Sequence, residues 1–115
     1  MNHGKSTRKF GRERKVREGL MKSLAVALIE NGKITTPDAT ARSLRPMLEK
    51  MVTAGKKETL ASRRNLISQV GSASASKMVK EIAPKYKTRA GGYTRITKLQ
   101  ARLSDGSLMA VIEFV

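Results

Sequence analysis

The sequence predicts an α+β fold. A helix, a short strand, three helices and a two-stranded C-terminal hairpin form two layers, in which a small antiparallel or mixed sheet packs on helices behind an extended basic N-terminal arm. Three observations lead there. Apolar residues recur at helical spacing between residues 12 and 83, strand composition takes over after residue 93, and residues 1–11 have no apolar periodicity. The 115 residues, 39% of them apolar, suffice to bury roughly two-thirds of the unfolded surface around one core. We read an arm over residues 1–11 and a single domain over residues 12–115, with no internal repeat.

The arm carries two Gly among basic and polar residues, a composition that needs a partner to be ordered. From residue 12 to 31, Val16, Leu20, Leu24, Ala27 and Leu28 fall on one helical face, and Asn31-Gly32 supplies a left-handed stop. The β-branched Ile34, Thr35 and Thr36 suit a short strand. Thr36, Pro37 and Asp38 then read as N-cap, first helical residue and first-turn acid. The helix that follows has the clearest stripe in the chain: Ala41, Leu44, Met47, Leu48, Met51 and Val52. Pro46 predicts a kink or local break within it, and Gly55 its end. A third helix over residues 57–70 turns Leu60, Ile67 and Val70 inward and stops at Gly71. Residues 72–76, alternating Ser and Ala, read as a linker or cap, and Met78, Val79, Ile82 and Ala83 as a short helix stopped by Pro84. Residues 85–92 form a basic loop. Residues 93–103 have strand composition with imperfect alternation, so a bulge is expected near residues 96–99. Asp105-Gly106 centres a hairpin turn, and the nearly continuous apolar run from residue 108 to 115 is expected to be the central strand.

Charge narrows the function. There are 24 Lys and Arg against 9 Asp and Glu, a formal net charge of +15, which points to a polyanionic partner. It is concentrated in two places. Residues 1–19 hold seven basic and two acidic residues, and residues 84–103 hold six basic and no acidic ones. With no Cys and one His, disulfides, thiolate metal sites and a cysteine nucleophile are excluded. The acids are scattered, and the Ser and Thr hydroxyls lack a His partner, so no catalytic residue, metal site or cofactor is expected and the protein is read as a non-enzyme. No apolar run approaches the about 20 residues of a membrane span. The chain is read as unexported and cytoplasmic. A basic, Ser- and Thr-containing N-terminus also fits a transit peptide, but Glu13, Glu18 and direct passage into a patterned helix argue against cleavage.

The candidate RNA-binding residues form three groups. In and just after the arm are His3, Lys5, Arg8, Lys9, Arg12, Arg14 and Lys15; a solvated tail is the bland reading, an arm threaded between nucleic-acid strands the functional one. On helix faces are Arg42 and Arg45, three apart, and the adjacent Arg63 and Arg64. The third group is Lys85, Lys87, Arg89, Gly91, Gly92, Tyr93 and Arg95. Two adjacent Gly allow close approach to another backbone or a phosphate, while Tyr93 serves either as a stacking face or as a core residue beneath a turn. Aromatic content of 3% argues against a chain devoted to stacking single strands.

These residues carry a family resemblance. His3-x-Lys5, Ile34-Thr-Thr36, Ala39-x-Ala41 leading to Leu44-Arg45-Pro46 and Glu49-Lys50, Arg63-Arg64, the block RxGGYTRI from Arg89 to Ile96, and the ending Met109-Ala110-x-Ile112-Glu113-x-Val115 together resemble the L17 family of bacterial large-subunit ribosomal proteins over essentially the whole chain. The chain departs from the usual family pattern at Asn2, Gly4, Pro37 and Thr40. The resemblance implies an α+β fold and a structural role in the large ribosomal subunit, in contact with 23S ribosomal RNA and neighbouring large-subunit proteins, without a membrane or small-molecule substrate. A DNA-binding or nucleoid-type basic protein is the alternative, although no pair of helices has a recognition face. The acidic C-terminal strand is expected to face away from the RNA.

Overall fold

The computed structural model describes residues 14–115. The arm over residues 1–11, and with it the candidates His3, Lys5, Arg8, Lys9 and Arg12, lies outside the described residues. The elements are α1 (Arg14–Asn31), β1 (Lys33–Pro37), α2 (Asp38–Lys57), α3 (Leu60–Val70), α4 (Ser72–Lys77), a π-helical turn (Met78–Ile82), a 3₁₀ turn (Ala83–Tyr86), β2 (Thr94–Ala101) and β3 (Leu108–Phe114). The three strands are antiparallel in the order β1-β3-β2, so the last strand is central, as its apolar run indicates. The hairpin joins β2 to β3, and β1 closes the other edge. Opposite Ile112 stand Ile34 on one side and Ile96 on the other, which defines the face turned to the helices.

The core lies between that face and α2. Leu44, Leu48, Met51 and Val52 are fully buried with Ala41, Ala110 and Ile112, matching the predicted stripe. Each large side chain so buried contributes about 1.5–3 kcal/mol. Leu28 and Ile29 of α1, Leu66 and Val70 of α3, and Met78 complete the cluster.

Several boundaries differ from the sequence reading, each for a packing reason. Thr36 is not an N-cap: it and Pro37 stay in β1, paired with Ala110 and Met109, and the helix starts at Asp38 with Pro37 capping by backbone alone. An edge strand tolerates Pro at its end, where no ladder donor is needed. Pro46 does not break α2, because it sits on the exposed side, where water can satisfy the carbonyl released one turn earlier. Nor does Gly55 end the helix. It is buried at a crossing with the following turns, and a Cβ there would lie 3.1 Å from Ala83 Cβ and 3.2 Å from Met78 Cγ. The stop is Glu58, in the left-handed conformation at φ 54°. Thr59 then caps α3 by accepting from Ser62 N at 3.1 Å.

α1 and α3 bury Leu28 and Val70 as predicted, but other positions of the predicted faces differ. Val16 is exposed and Ala25 buried in α1, while Leu60 and Ile67 are exposed and Leu66 buried in α3. The Ser- and Ala-rich segment is not a linker but α4, whose small side chains bring buried Ala75 into the core. Lys77 Nζ fastens it to Glu30 O at 2.8 Å. Its continuation widens into the π turn, where Ala83 N donates to Met78 O, and Pro84 lies in the first turn of the 3₁₀ segment rather than ending a helix. Lys85 therefore belongs to that turn, not to a loop. In the hairpin the register slips between Lys98 and Ala101, slightly beyond the expected bulge. Arg102 clasps Asp105 with two hydrogen bonds of 3.0 and 2.6 Å, which holds the Asp105 carboxyl well below the usual carboxylate range.

Candidate nucleic-acid interface

The sharpest local constellation joins α2 to the Gly-Gly segment before β2. Arg45, Glu49 and Lys56 lie at helical spacings of four and seven, so one side of α2 presents all three. Glu49 is the clasp. Its carboxylate accepts from Tyr93 N at 2.9 and 3.2 Å and from Thr94 Oγ1 at 3.4 Å, while Arg45 Nε stands 3.8 Å away and Arg45 also donates to Thr94 O at 3.3 Å. One turn pair further on, Lys56 Nζ donates to Arg89 O and, at 3.0 Å, to Tyr93 Oη. The loop is thus fastened at both ends.

Tyr93 is 2% exposed and packs its ring 5.2 Å from that of Tyr86. The core reading of this residue therefore holds in the structure, and its placement leaves no ring face for a base. Its hydroxyl donates to Arg89 O at 3.1 Å, and the Lys56 ammonium is 5.1 Å from the ring centroid. Hydrogen bonding from Lys56 lowers the Tyr93 pKa below the ordinary tyrosine value. Tyr86 is displaced the other way: burial disfavours its charged form, and its hydroxyl donates to Val115 O at 2.6 Å.

The remaining candidates are spread over the surface. Arg14 pairs with Glu18, Arg42 with Asp38 at 2.8 Å, and Arg95 with Glu113 at 2.7 Å across the sheet. Among the described residues every ion pair is made by an arginine, and the Arg14–Glu18 pair, exposed on both sides, contributes little to stability. Lys15, Arg63, Arg64, Lys85 and Lys87 are exposed and meet no carboxylate among the described residues. Arg89 is exposed and donates from Nε to Gly91 O at 3.1 Å. Gly92 requires its glycine, with φ at +66°.

Sequence reasoning missed Glu49 and Lys56 as the residues that shape this loop. It also missed Lys50 and Lys57, which with residues 90–93 line an open cleft of about 540 Å³. The seven-residue spacing of Lys50 and Lys57 is a signal that could have placed them on one face, but nothing local shows that the loop lies opposite. Among the described residues no group of three or more His, Cys, Asp or Glu is placed to hold a metal ion, and no helix is long and apolar enough to cross a membrane.

Known proteins share this sequence over most of its length. A family profile described as Ribosomal protein L17 matches residues 20–115. The large ribosomal subunit protein bL17 of Persephonella marina is 50% identical over 118 residues, covering 100% of this chain and 95% of the relative. That of Fusobacterium nucleatum is 46% identical with both chains covered in full, and that of Methylacidiphilum infernorum is 45% identical over 99% of this chain and 88% of its own length.

Proposed function

The chain belongs to the ribosomal protein L17 family, and we propose that it is a structural constituent of the bacterial large ribosomal subunit, working in the cytoplasm. Its partners are 23S ribosomal RNA and neighbouring large-subunit proteins, and its role is architectural rather than catalytic. The observation that carries the RNA reading is the imbalance of paired charge. Among the described residues the ion pairs leave Arg63, Arg64, Lys85 and Lys87 without a carboxylate on the exposed surface. Cations in that state release counterions when they meet phosphates, which favours binding and makes it salt-dependent.

In this reading the arm, with His3, Lys5, Arg8, Lys9 and Arg12, supplies one set of phosphate contacts, and Arg14 and Lys15 extend it along the first turn of α1. The helix-borne Arg42, Arg45, Arg63 and Arg64 supply a second. The segment from Lys85 to Arg95 supplies a third, with Tyr93 acting from the core to hold Gly91 and Gly92 at the surface. Arg42, Arg45 and Arg95 keep about half or more of their side-chain surface open to water beside their carboxylate partners, which leaves their remaining donors accessible to phosphate.

The test is cellular. Tagged protein is expressed in bacteria and subunits are separated on gradients after a high-salt wash. The protein is expected in the large-subunit fraction. Recovery with chromosomal DNA, and not with subunits, overturns the reading.

A further inference from the structure

The cleft between α2 and residues 90–93 presents groups that the fold leaves unused. Lys50 and Lys57 are seven residues apart and therefore share a face across two helical turns. Both are exposed, and neither makes a side-chain hydrogen bond or ion pair among the described residues. The neighbouring Lys56 differs, being committed to Arg89 O and Tyr93 Oη.

The opposite wall includes Gly91, whose glycine the fold does not require. Its φ is not left-handed, and a Cβ added there meets nothing within 4 Å. Gly19 shares that freedom but lies exposed on α1, outside the cleft. The carboxylate that would repel an anion, Glu49, is occupied by Tyr93 N and Thr94 Oγ1. The uncommitted charge lining the cleft is therefore positive.

We infer that this cleft seats one phosphodiester of an RNA strand, with Lys50 and Lys57 neutralising it and Gly91 letting the sugar-phosphate backbone lie against the loop. The inference rests on the RNA-binding function proposed above and names a contact within it. The cleft, about 540 Å³, is open to solvent, so a strand can lie along it without being enclosed. Glu49 and Lys56 are positioning residues, since their side chains are committed to the loop wall.

The experiment is filter binding of a 23S RNA transcript to the full chain across a range of KCl concentrations. The variants are the double K50A/K57A, the charge-matched double K80A/K98A at exposed positions outside the cleft, and G91L. K50A/K57A is expected to weaken binding and to reduce the slope of log affinity against log salt by roughly 0.7–0.9 for each lysine. K80A/K98A is expected to change the slope less. G91L is expected to keep the wild-type melting temperature, because its side chain enters open space, and still to weaken binding several-fold. Equal losses in the two doubles, or wild-type binding by both K50A/K57A and G91L, overturn the cleft assignment and leave the broader function standing. Failure of the wild-type chain to bind the transcript removes both. Adenosine monophosphate, titrated separately, is expected not to bind at micromolar concentration; saturable binding lost in K50A/K57A would reassign the cleft to a free nucleotide and overturn its assignment to RNA.

Discussion

Tyr93 and Tyr86, the only two tyrosines in the chain, lie in ring contact and titrate in opposite directions. Lys56 lowers the pKa of Tyr93, and burial raises that of Tyr86. A lowered folded pKa favours the ionised form in the native state, so the Tyr93 contribution grows as pH rises through its folded pKa and is complete above its ordinary value near 10. A raised one does the reverse, so the Tyr86 contribution is complete below that value and is lost as pH rises through its folded pKa. Tyrosinate absorbance should therefore show Tyr93 ionising first. In Y86F the earlier step is expected to remain, and in K56M it is expected to move upward; a single shared step in the wild type contradicts this arrangement. The RxGGYTRI block drew attention to Tyr93 from sequence alone, but could not choose between a stacking face and a core residue. That choice depends on Tyr86 and Lys56, neither of which is a local neighbour of its backbone.

Among the elements, α2 was the most legible. Its stripe of Ala41, Leu44, Leu48, Met51 and Val52 is buried as the 3.6-residue period requires. Gly55 was misread because a glycine near a pattern's end resembles a stop. Its actual role is close packing, and substitution by Leu should force the Met78 and Ala83 turns apart. G55L is expected to lower unfolding free energy by about 1–3 kcal/mol. Urea denaturation would read this as a lower midpoint at unchanged m value, whereas an unchanged midpoint would show that the crossing is loose. α3 and α4 were less legible for a related reason. Leu60 and Ile67 satisfy a helical period as well as Leu66 does, but the position of α1 and α2 decides which flank is covered. Small residues such as those of α4 carry almost no hydrophobic signal, although they permit close approach.

Across the described residues, every ion pair uses an arginine, while exposed lysines such as Lys50, Lys57, Lys85 and Lys87, and the arginines Arg63 and Arg64, meet no carboxylate. The division into an arm and a single domain predicts that a chain beginning at residue 12 keeps its helical circular dichroism and a cooperative melt, yet binds 23S RNA more weakly and with a shallower salt dependence. Loss of the cooperative melt would instead make the arm part of the domain. Sequence by itself determined the strongly basic character, the α+β class, the central last strand, the α2 core face and the family. These rest on composition and on regularities within a few residues, which need no knowledge of distant partners. Only the tertiary structure decided the burial of Tyr93, the clasp of Glu49 on a backbone amide 44 residues away, the reach of Lys56 to Arg89 across 33 residues, and the cleft those contacts shape. Such contacts form when packing of α2 on the sheet brings separate segments within hydrogen-bond distance, and no local pattern encodes that distance.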